Sequence, residues 1–439
     1  MIKDTAVLHY SFDETSSEPQ SPWKASIVAG MGSAVEYYDF AIYGLLASTL
    51  AKVFFPAMNS FEALLSALAV FASAFIMRPL GGIFFGRLGD RRGRSYTLVA
   101  TVIGIGIVSG IVGILPTYDQ AGVLAPVMLV ACRMAQGFFA GGEASGAATY
   151  ISECAPANKR GFFGAFNPAG VAIGIATAAG MAGAVSFMIT PQEMVAWGWR
   201  IPFLICIPFI GLTLWARMKL EDSPKFKSLV ESNEVVKAPV REVFTLHRKS
   251  LYLAVSIAFA QNCTAYLGIV YLNLHMTRTL GYETGKVFWL MAASTLAAAL
   301  AMPLFGQISD RVGRKTLMII GYASYIVVIP ISMYLMSLGS FPLASFAALL
   351  AFLPFAIVQA QGYTVYGELF PTRVRYTGMA MSFNVGAIFG GASTPFICTW
   401  LVENTGNSMS PAIWTSLAAM ISIIALSKMK DVTGQELTN

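Results

Sequence analysis

Two stretches of this 439-residue sequence nearly repeat each other: GRLGDRRGR, from Gly86 to Arg94, and GQISDRVGRK, from Gly306 to Lys315. Further along each half, YISECAPANKRG begins at Tyr150 and YGELFPTRVRYTG begins at Tyr366. The two pairs occur in the same order and at almost the same separation. A repeated order of short motifs predicts two copies of one structural unit.

Hydropathy indicates what kind of unit is repeated. Apolar residues make up 56% of the sequence and charged residues only 12%, about half the charged share of an average soluble domain. Apolar stretches of about twenty residues recur from Ala25 to Leu426, and each is long enough to cross a hydrocarbon core of about 30 Å. The sequence therefore predicts an all-α polytopic membrane protein with twelve transmembrane helices in two pseudo-symmetric six-helix bundles.

The positions of the polar segments predict the domain limits and the orientation. One long polar stretch, from Lys219 to Ser250, divides the apolar spans into two groups of six and is typical of a linker. Most of the 29 Lys and Arg residues fall in the tails, the linker and alternate loops, which predicts that both termini are cytoplasmic. The predicted segments are an N-terminal tail at 1–23, a first bundle at 24–218, the linker at 219–250, a second bundle at 251–427 and a C-terminal tail at 428–439.

Charged residues inside the spans are candidates for function, because a charge at the bilayer centre costs about 2.5–3.5 kcal/mol on insertion scales. Glu36 and Asp39 lie near the middle of the first span, and Arg133 lies at a similar depth in the fourth. Burial opposes ionisation of a carboxyl group and a nearby guanidinium favours it, so such a pair can gain and lose a proton. The alternative is that these charges only neutralise one another and join helices. The predicted proton-coupling residues are Asp39, Glu36, Arg133 and Glu143.

Other polar side chains in the spans are candidates for substrate binding. An arginine can hold a substrate carboxylate with two hydrogen bonds, and neighbouring hydroxyl and amide groups can add more. Each of these groups has the alternative role of an interhelical contact. The predicted substrate-binding residues are Arg133, Gln136, Tyr37, Tyr43, Asn262, Tyr266, Gln359 and Asn384.

The repeated loop motifs predict a gate at the cytoplasmic surface. Asp90 can accept a hydrogen bond from Arg94, and Glu153 ends the fourth span within possible reach of the same arginine. Such a cluster would hold the surface closed in one state and break in the other; the alternative is that it only determines topology. The predicted gating residues are Gly86, Asp90, Arg91, Gly93, Arg94, Glu153, Asp310, Arg314, Glu368 and Arg375.

The same motifs resemble those of a known family. GRLGDRRGR between the second and third spans, echoed between the eighth and ninth, resembles the signature of the major facilitator superfamily. The stretches VEYYDFAIYG from Val35 and RMAQGFFAGGEASGAATYISECAP from Arg133 are similar to the metabolite:proton symporter family. This resemblance implies the major facilitator fold and symport of protons with citrate, 2-oxoglutarate, other dicarboxylates, shikimate, proline or betaine.

Enzyme functions lack support in the sequence. It contains no HExxH motif, no Walker-type phosphate loop and no Cys/His cluster at metal spacing, so we expect no enzyme activity, no cofactor and no metal. The main prediction is proton-coupled uptake of a small organic acid across the inner membrane by alternating access. Uptake of a zwitterionic osmolyte such as proline or betaine is the alternative, and a non-transporting nutrient sensor is a third. We expect a monomer in the lipid bilayer, with no nucleic-acid partner.

Overall fold

A computed structural model describes residues 21–218 and 239–437. Within these two ranges every regular element is helical, which confirms the all-α prediction. Most of the predicted N-terminal tail, residues 219–238 of the predicted linker and the last two residues of the C-terminal tail lie outside the described residues.

Twelve long helices, α1 to α12, form the body of the described chain. Eleven of them are long and apolar enough to cross a membrane. The other is α1, which carries Glu36 and Asp39 within its length. The helices are α1 Pro22–Leu45, α2 Ser60–Arg92, α3 Arg94–Gly113, α4 Leu124–Cys154, α5 Ala157–Met188, α6 Arg200–Arg217, α7 Arg248–Thr279, α8 Thr284–Val312, α9 Arg314–Met336, α10 Phe341–Leu369, α11 Thr372–Thr405 and α12 Ser410–Ser427. Shorter helices cover Ala47–Phe54, Tyr118–Ala121, Pro191–Glu193 and Pro239–Leu246.

Each repeated motif forms the turn between two helices, and its last glycine explains why. Gly93 separates α2 from α3 with a φ of 107°, and Gly313 separates α8 from α9 with a φ of 93°. Residues with a Cβ rarely adopt such angles, whereas glycine does so readily. The two copies of the motif therefore fold alike, as their sequences predict.

Small residues bring α1 and α5 together within the first bundle. A Cβ added at Gly170 would meet the carbonyl oxygen of Gly30, and one added at Gly174 would meet that of Ala34. Without interfering side chains the two helix backbones approach closely, which is how membrane helices gain packing energy in an apolar solvent. The position of α1, and of the charges it carries, is thus set by the glycines of α5.

The two bundles, α1–α6 and α7–α12, meet along two related seams. Helix α5 packs against α8, and α2 packs against α11. In the first seam, Gly161 and Gly306 bring their backbones into contact. We call the end of the molecule that contains Gly86–Arg94 and Gly306–Lys315 the basic end, and the opposite end, which contains Lys52 and Glu283, the distal end.

Candidate functional site

Asp39 and Arg133 meet in the first bundle, as the sequence predicts from their depths. Both side chains are fully buried, and Arg133 Nη1 lies 3.5 Å from Asp39 Oδ2. Asp39 Oδ1 accepts hydrogen bonds from Ser109 Oγ at 2.7 Å and from Gln136 Nε2 at 2.8 Å. Arg133 Nη1 also donates to Gln136 Oε1 at 2.8 Å. The ion pair is long, and Gln136 bridges its two members.

Aromatic rings surround the rest of the Arg133 guanidinium. Its central carbon lies 4.5 Å from the ring centroid of Tyr43, 4.7 Å from that of Phe40 and 5.8 Å from that of Phe71. Cations are attracted to such ring faces. Among the described residues, Nε and Nη2 of Arg133 have no hydrogen-bond acceptor. The guanidinium therefore retains donors with which it can bind a carboxylate.

Glu36 forms a second buried pair, with Arg78 of α2. Arg78 Nη2 donates to Glu36 Oε1 at 2.6 Å, and both side chains are fully buried. The Arg78 guanidinium also stacks on Phe40 at 4.2 Å and on Phe75 at 5.0 Å. Within the described ranges, Glu36 Oε2 has no donor. Arg78 was not among the predicted site residues, although a charge inside an apolar span is itself a signal.

Glu143 lies in a separate pair, closer to the basic end. Both of its carboxylate oxygens bind Arg217, at the end of α6, and Oε2 also accepts from Thr101 Oγ1 at 2.6 Å. Arg217 Nη1 donates as well to the carbonyl oxygen of Leu98 at 2.7 Å. Arg217 was not among the predicted site residues, because hydropathy assigns it to the edge of a short span. The role of Glu143 in proton coupling stays a prediction.

Tyrosines connect the two buried ion pairs, Asp39–Arg133 and Glu36–Arg78, to the second bundle. Tyr37 Oη lies 3.4 Å from Tyr363 Oη of α10. Tyr266 of α7 packs edge-on against Phe71 and Phe75, with centroids 5.8 and 5.3 Å apart, and its hydroxyl has no partner among the described residues. Of the predicted substrate-binding residues, Tyr37, Tyr43 and Tyr266 thus lie around the two arginines.

The second bundle contributes neutral hydrogen-bonding groups. Gln261 Nε2 of α7 donates to Gln359 Oε1 of α10 at 2.7 Å, and Gln359 Nε2 donates to the Gln261 carbonyl oxygen at 3.2 Å. Tyr366 Oη donates to Gln261 Oε1. Gln261, Tyr363 and Tyr366 were not among the predicted residues, although an amide or phenol inside an apolar span is itself a signal.

Two predicted residues of the second bundle bind backbone groups. Asn262 Nδ2 donates to the carbonyl oxygen of Ala258 in its own helix at 2.9 Å. Asn384 Nδ2 of α11 donates to the carbonyl oxygen of Gly141 in α4 at 2.6 Å. Asn384 therefore joins the two bundles, whereas Asn262 bonds locally.

At the basic end, the first copy of the predicted gate joins the bundles through α11. Asp90 binds Arg94 at 2.8 Å and accepts from Thr377 Oγ1 at 2.6 Å and Thr377 N at 3.3 Å. Glu153 Oε1 lies 3.4 Å from both Arg94 and Arg375. Carboxylates are stabilised at the positive end of a helix dipole, and the Asp90 carboxylate of α2 lies next to the N-terminal end of α11.

The second copy joins the bundles in the reverse direction. Asp310 of α8 binds Arg314 at 2.9 Å and accepts from the backbone N–H groups of Gly161 and Phe162, at 2.8 and 2.9 Å, near the start of α5. Glu368 lies 3.0 Å from Arg314 Nε and 3.4 Å from Arg160 Nη1. Arg160, absent from the predicted gate, therefore takes the position that Arg375 has in the first copy.

The remaining predicted gating residues lie on the first motif. A Cβ added at Gly86 would approach Thr377 Cα to 3.3 Å, so the absence of a side chain there admits α11. Gly93 forms the turn described above, and Arg91 is exposed at the end of α2. The structure thus brings the predicted gating residues together in two clusters that join the bundles, and their role as a gate stays a prediction.

Comparisons with known proteins identify the family. Residues 29–395 match the sequence profile described as the Major Facilitator Superfamily. The chain belongs to the major facilitator superfamily. It is 34% identical over 426 residues to the glycine betaine/proline/ectoine/pipecolic acid transporter OusA of Dickeya dadantii, covering 94% of this chain and 84% of that protein. It is 30% identical over 433 residues to the shikimate transporter of Escherichia coli, covering 98% and 99%.

Solved structures show the same fold. A structure of the proton:xylose symporter XylE superposes with a TM-score of 0.74 at 19% identity, covering 95% of this chain and 97% of that one. The prediction of a twelve-helix transporter of the major facilitator superfamily, and not an enzyme, is confirmed.

In this major facilitator protein a cavity of about 1020 Å³ lies at the distal end, between the two bundles. Leu45 and Leu46, which follow Tyr43 closely in the chain, line it from the first bundle, and Asn273, Thr277 and Trp289 line it from the second. The cavity therefore lies at the end of the molecule opposite the ion-pair clusters of the basic end.

Proposed function

We propose that this chain is a secondary active transporter that imports a small zwitterionic metabolite, such as proline or a betaine, together with protons. The basic end would face the cytoplasm, since cationic loops are retained there, and the distal cavity would face the outside. Both bundles come from one chain, so a monomer is sufficient for the cycle.

The observation that carries the proposal is the contact between Asp39 and Arg133. The ion pair is long, fully buried and shared with Gln136, and Arg133 keeps two donor nitrogens unused within the described residues. A buried charge without a partner is costly. When a proton neutralises Asp39, Arg133 needs another anion, and a substrate carboxylate supplies it.

Release of the substrate follows from the same competition for Arg133. When Asp39 loses its proton toward the cytoplasm, its carboxylate competes with the substrate for the guanidinium. Arg133 stays charged throughout, so the proton alone decides which carboxylate it holds. The coupling of substrate to proton thus requires no cofactor.

The surroundings of the pair favour a substrate with a positive end. Tyr266, Phe71 and Phe75 pack against one another beside Arg133 and Arg78, and Glu36 Oε2 has no donor among the described residues. Aromatic faces and a carboxylate are the groups that bind ammonium and quaternary ammonium ions. Relatives named as proline/betaine transporters, such as that of Escherichia coli K12 at 32% identity, agree with this class.

An organic acid is the second candidate, supported by the shikimate transporter of Escherichia coli, which matches this chain over nearly the full length of both. The buried Arg78 beside Glu36 offers a second cation for such an anion. The two candidates differ in the net charge moved per cycle. One proton with a zwitterion carries one positive charge, whereas one proton with a monoanion carries none.

Electrical measurement on reconstituted protein tests the proposal. Proteoliposomes on a solid-supported membrane receive proline, betaine, shikimate or citrate with and without an inward pH gradient. We expect a positive inward current with proline or betaine that grows with the gradient. Uptake of radiolabelled shikimate without a current, together with no current and no labelled uptake for the zwitterions, would replace the first candidate with the second.

Asp39→Asn tests the coupling residue itself. The carboxamide keeps the shape but cannot exchange a proton, so we expect loss of accumulation against a gradient, while exchange of labelled for unlabelled substrate persists. Asp119→Asn, an exposed carboxylate at the distal end, is the matched control and should transport like the parent. Accumulation by Asp39→Asn at the parental level would remove Asp39 from the coupling role.

A further inference from the structure

The distal cavity has an uneven distribution of charge. Outside the basic end, and apart from the buried Arg78 and Arg133, the described chain has four basic residues. Three of them line this one cavity, with a single carboxylate, that of Glu283. The four basic residues are Lys52, Arg200, Arg278 and Lys286. A concave site with an excess of one charge attracts groups of the opposite charge, such as the carboxylate end of a zwitterion.

Only one of the three cations is neutralised by a neighbour. Lys286 Nζ lies 2.7 Å from Glu283 Oε2. Lys52, from the first bundle, and Arg278, from the second, have no ion-pair partner within the described residues. The two uncompensated cations therefore come from different bundles and line one cavity.

A buried amide supplies a second and independent sign of a ligand. Asn273 lines the same cavity, its residue is only 2% exposed, and its Oδ1 has no donor among the described residues. A buried polar atom without a partner is unfavourable by about 1–3 kcal/mol. Because Oδ1 is itself buried, a rotation of the amide toward the cavity would let it accept from an N–H or O–H group of a ligand, and this would remove the deficit.

We propose that the distal cavity contains a second, outer binding site for the substrate. Arg278 and Lys52 hold the carboxylate, and Asn273 accepts a hydrogen bond from the ammonium group of an amino-acid zwitterion. The volume of about 1020 Å³ is at the upper end of the range for small-molecule sites. The substrate pauses here before it passes Leu45 and Tyr43 to reach Arg133. This inference rests on the proposed function, since it takes the same substrate class.

The test separates the two sites by removing the central one. Equilibrium binding of tritiated proline is measured in nanodiscs at low ionic strength, for the parent, for Arg133→Ala and for Arg133→Ala combined with a second change. We expect Arg133→Ala to keep a weaker binding that high salt removes. Adding Arg278→Gln or Lys52→Gln should weaken that residual binding about three- to tenfold, since a charged hydrogen bond is lost in a partly screened site.

Two further variants define the site more closely. Lys286→Gln is the matched control, because its charge is already balanced by Glu283, and it should leave the residual binding unchanged. Asn273→Leu should reduce binding of proline more than that of betaine, which has no N–H group.

Three results would overturn the outer site. The first is that Arg133→Ala binds no proline. The second is that adding Arg278→Gln leaves the residual binding unchanged. The third is that Lys286→Gln weakens the residual binding as much as Arg278→Gln does. Failure of the central site has a different signature: Arg133→Ala alone would then bind proline as tightly as the parent.

Discussion

Replacing Asp310 by asparagine should open the basic end of the molecule. Asp310 holds the two bundles together with two backbone N–H groups at the start of α5, at 2.8 and 2.9 Å, and is itself held by Arg314 at 2.9 Å. Asparagine retains one acceptor oxygen and presents an NH₂ group in place of the other. One of the two N–H groups therefore loses its acceptor, and both lose the negative charge.

The size of the effect follows from these contacts. A hydrogen bond to a charged group contributes about 1.5–3 kcal/mol, and each 1.4 kcal/mol changes an equilibrium constant tenfold. In the open state the same N–H groups reach water, so the loss acts on the closed state alone. Asp310→Asn should shift the closed-to-open equilibrium about 10- to 150-fold toward the open basic end.

Distance measurement between spin labels detects this shift. Labels at Arg92 and Arg311, exposed at the basic end on different bundles, are introduced after the five native cysteines are replaced. The variant should populate a longer distance that the parent lacks, and Asp119→Asn should not. Because Asp90 makes the equivalent contacts on α11, Asp90→Asn combined with Asp310→Asn should shift the equilibrium further. An unchanged distance distribution in a folded Asp310→Asn protein would refute the role of this contact in gating.

Two further predictions concern the central site and its scaffold. Arg133→Lys should lower substrate affinity about 10- to 150-fold in a binding assay, nearly as much as Arg133→Ala. The reason is that lysine lacks the planar guanidinium, which can bind Gln136 and a carboxylate together. Near-parental affinity of the lysine variant would favour a simple charge pair. Gly170→Ala should lower the stability of the protein by about 1–3 kcal/mol, because the added methyl group overlaps with the Gly30 carbonyl. Gly211→Ala is the control and should not destabilise, since a Cβ there meets no described atom within 4 Å. Equal melting temperatures of the two variants would contradict the packing argument.

The sequence predicts most of the fold because the membrane imposes a simple rule on helix length. It also predicts which residues cluster at the basic end, since the two motifs repeat at equivalent turns, and it places Asp39 and Arg133 at one depth. Depth along a helix follows from 1.5 Å per residue and needs no knowledge of the neighbours.

Partner choice among the buried charges could not be predicted in this way. Arg217 binds Glu143 from the far end of α6, and Arg78 binds Glu36 across two helices. Which charges meet depends on the rotation and tilt of each helix, and these are set by close contacts such as that of Gly170 with Gly30. Hydropathy does not predict those contacts.

Among the described residues, the charged ones near the site lie in the first bundle and not in the second. This difference bears on how the proton and the substrate can be coupled. The middle of α7–α12 carries no Asp, Glu, Lys or Arg, and its polar groups near the site are the neutral Gln261, Gln359 and Tyr366. In the function that we propose, a proton on Asp39 therefore acts directly on the first bundle alone. The second bundle responds only if something charged or polar spans the cleft. A substrate held by Arg133 on one side and by neutral donors on the other would do so, and an empty site with a protonated Asp39 would not. Proton and substrate must therefore be present together before the bundles close on each other, which is the condition for symport without leakage of either.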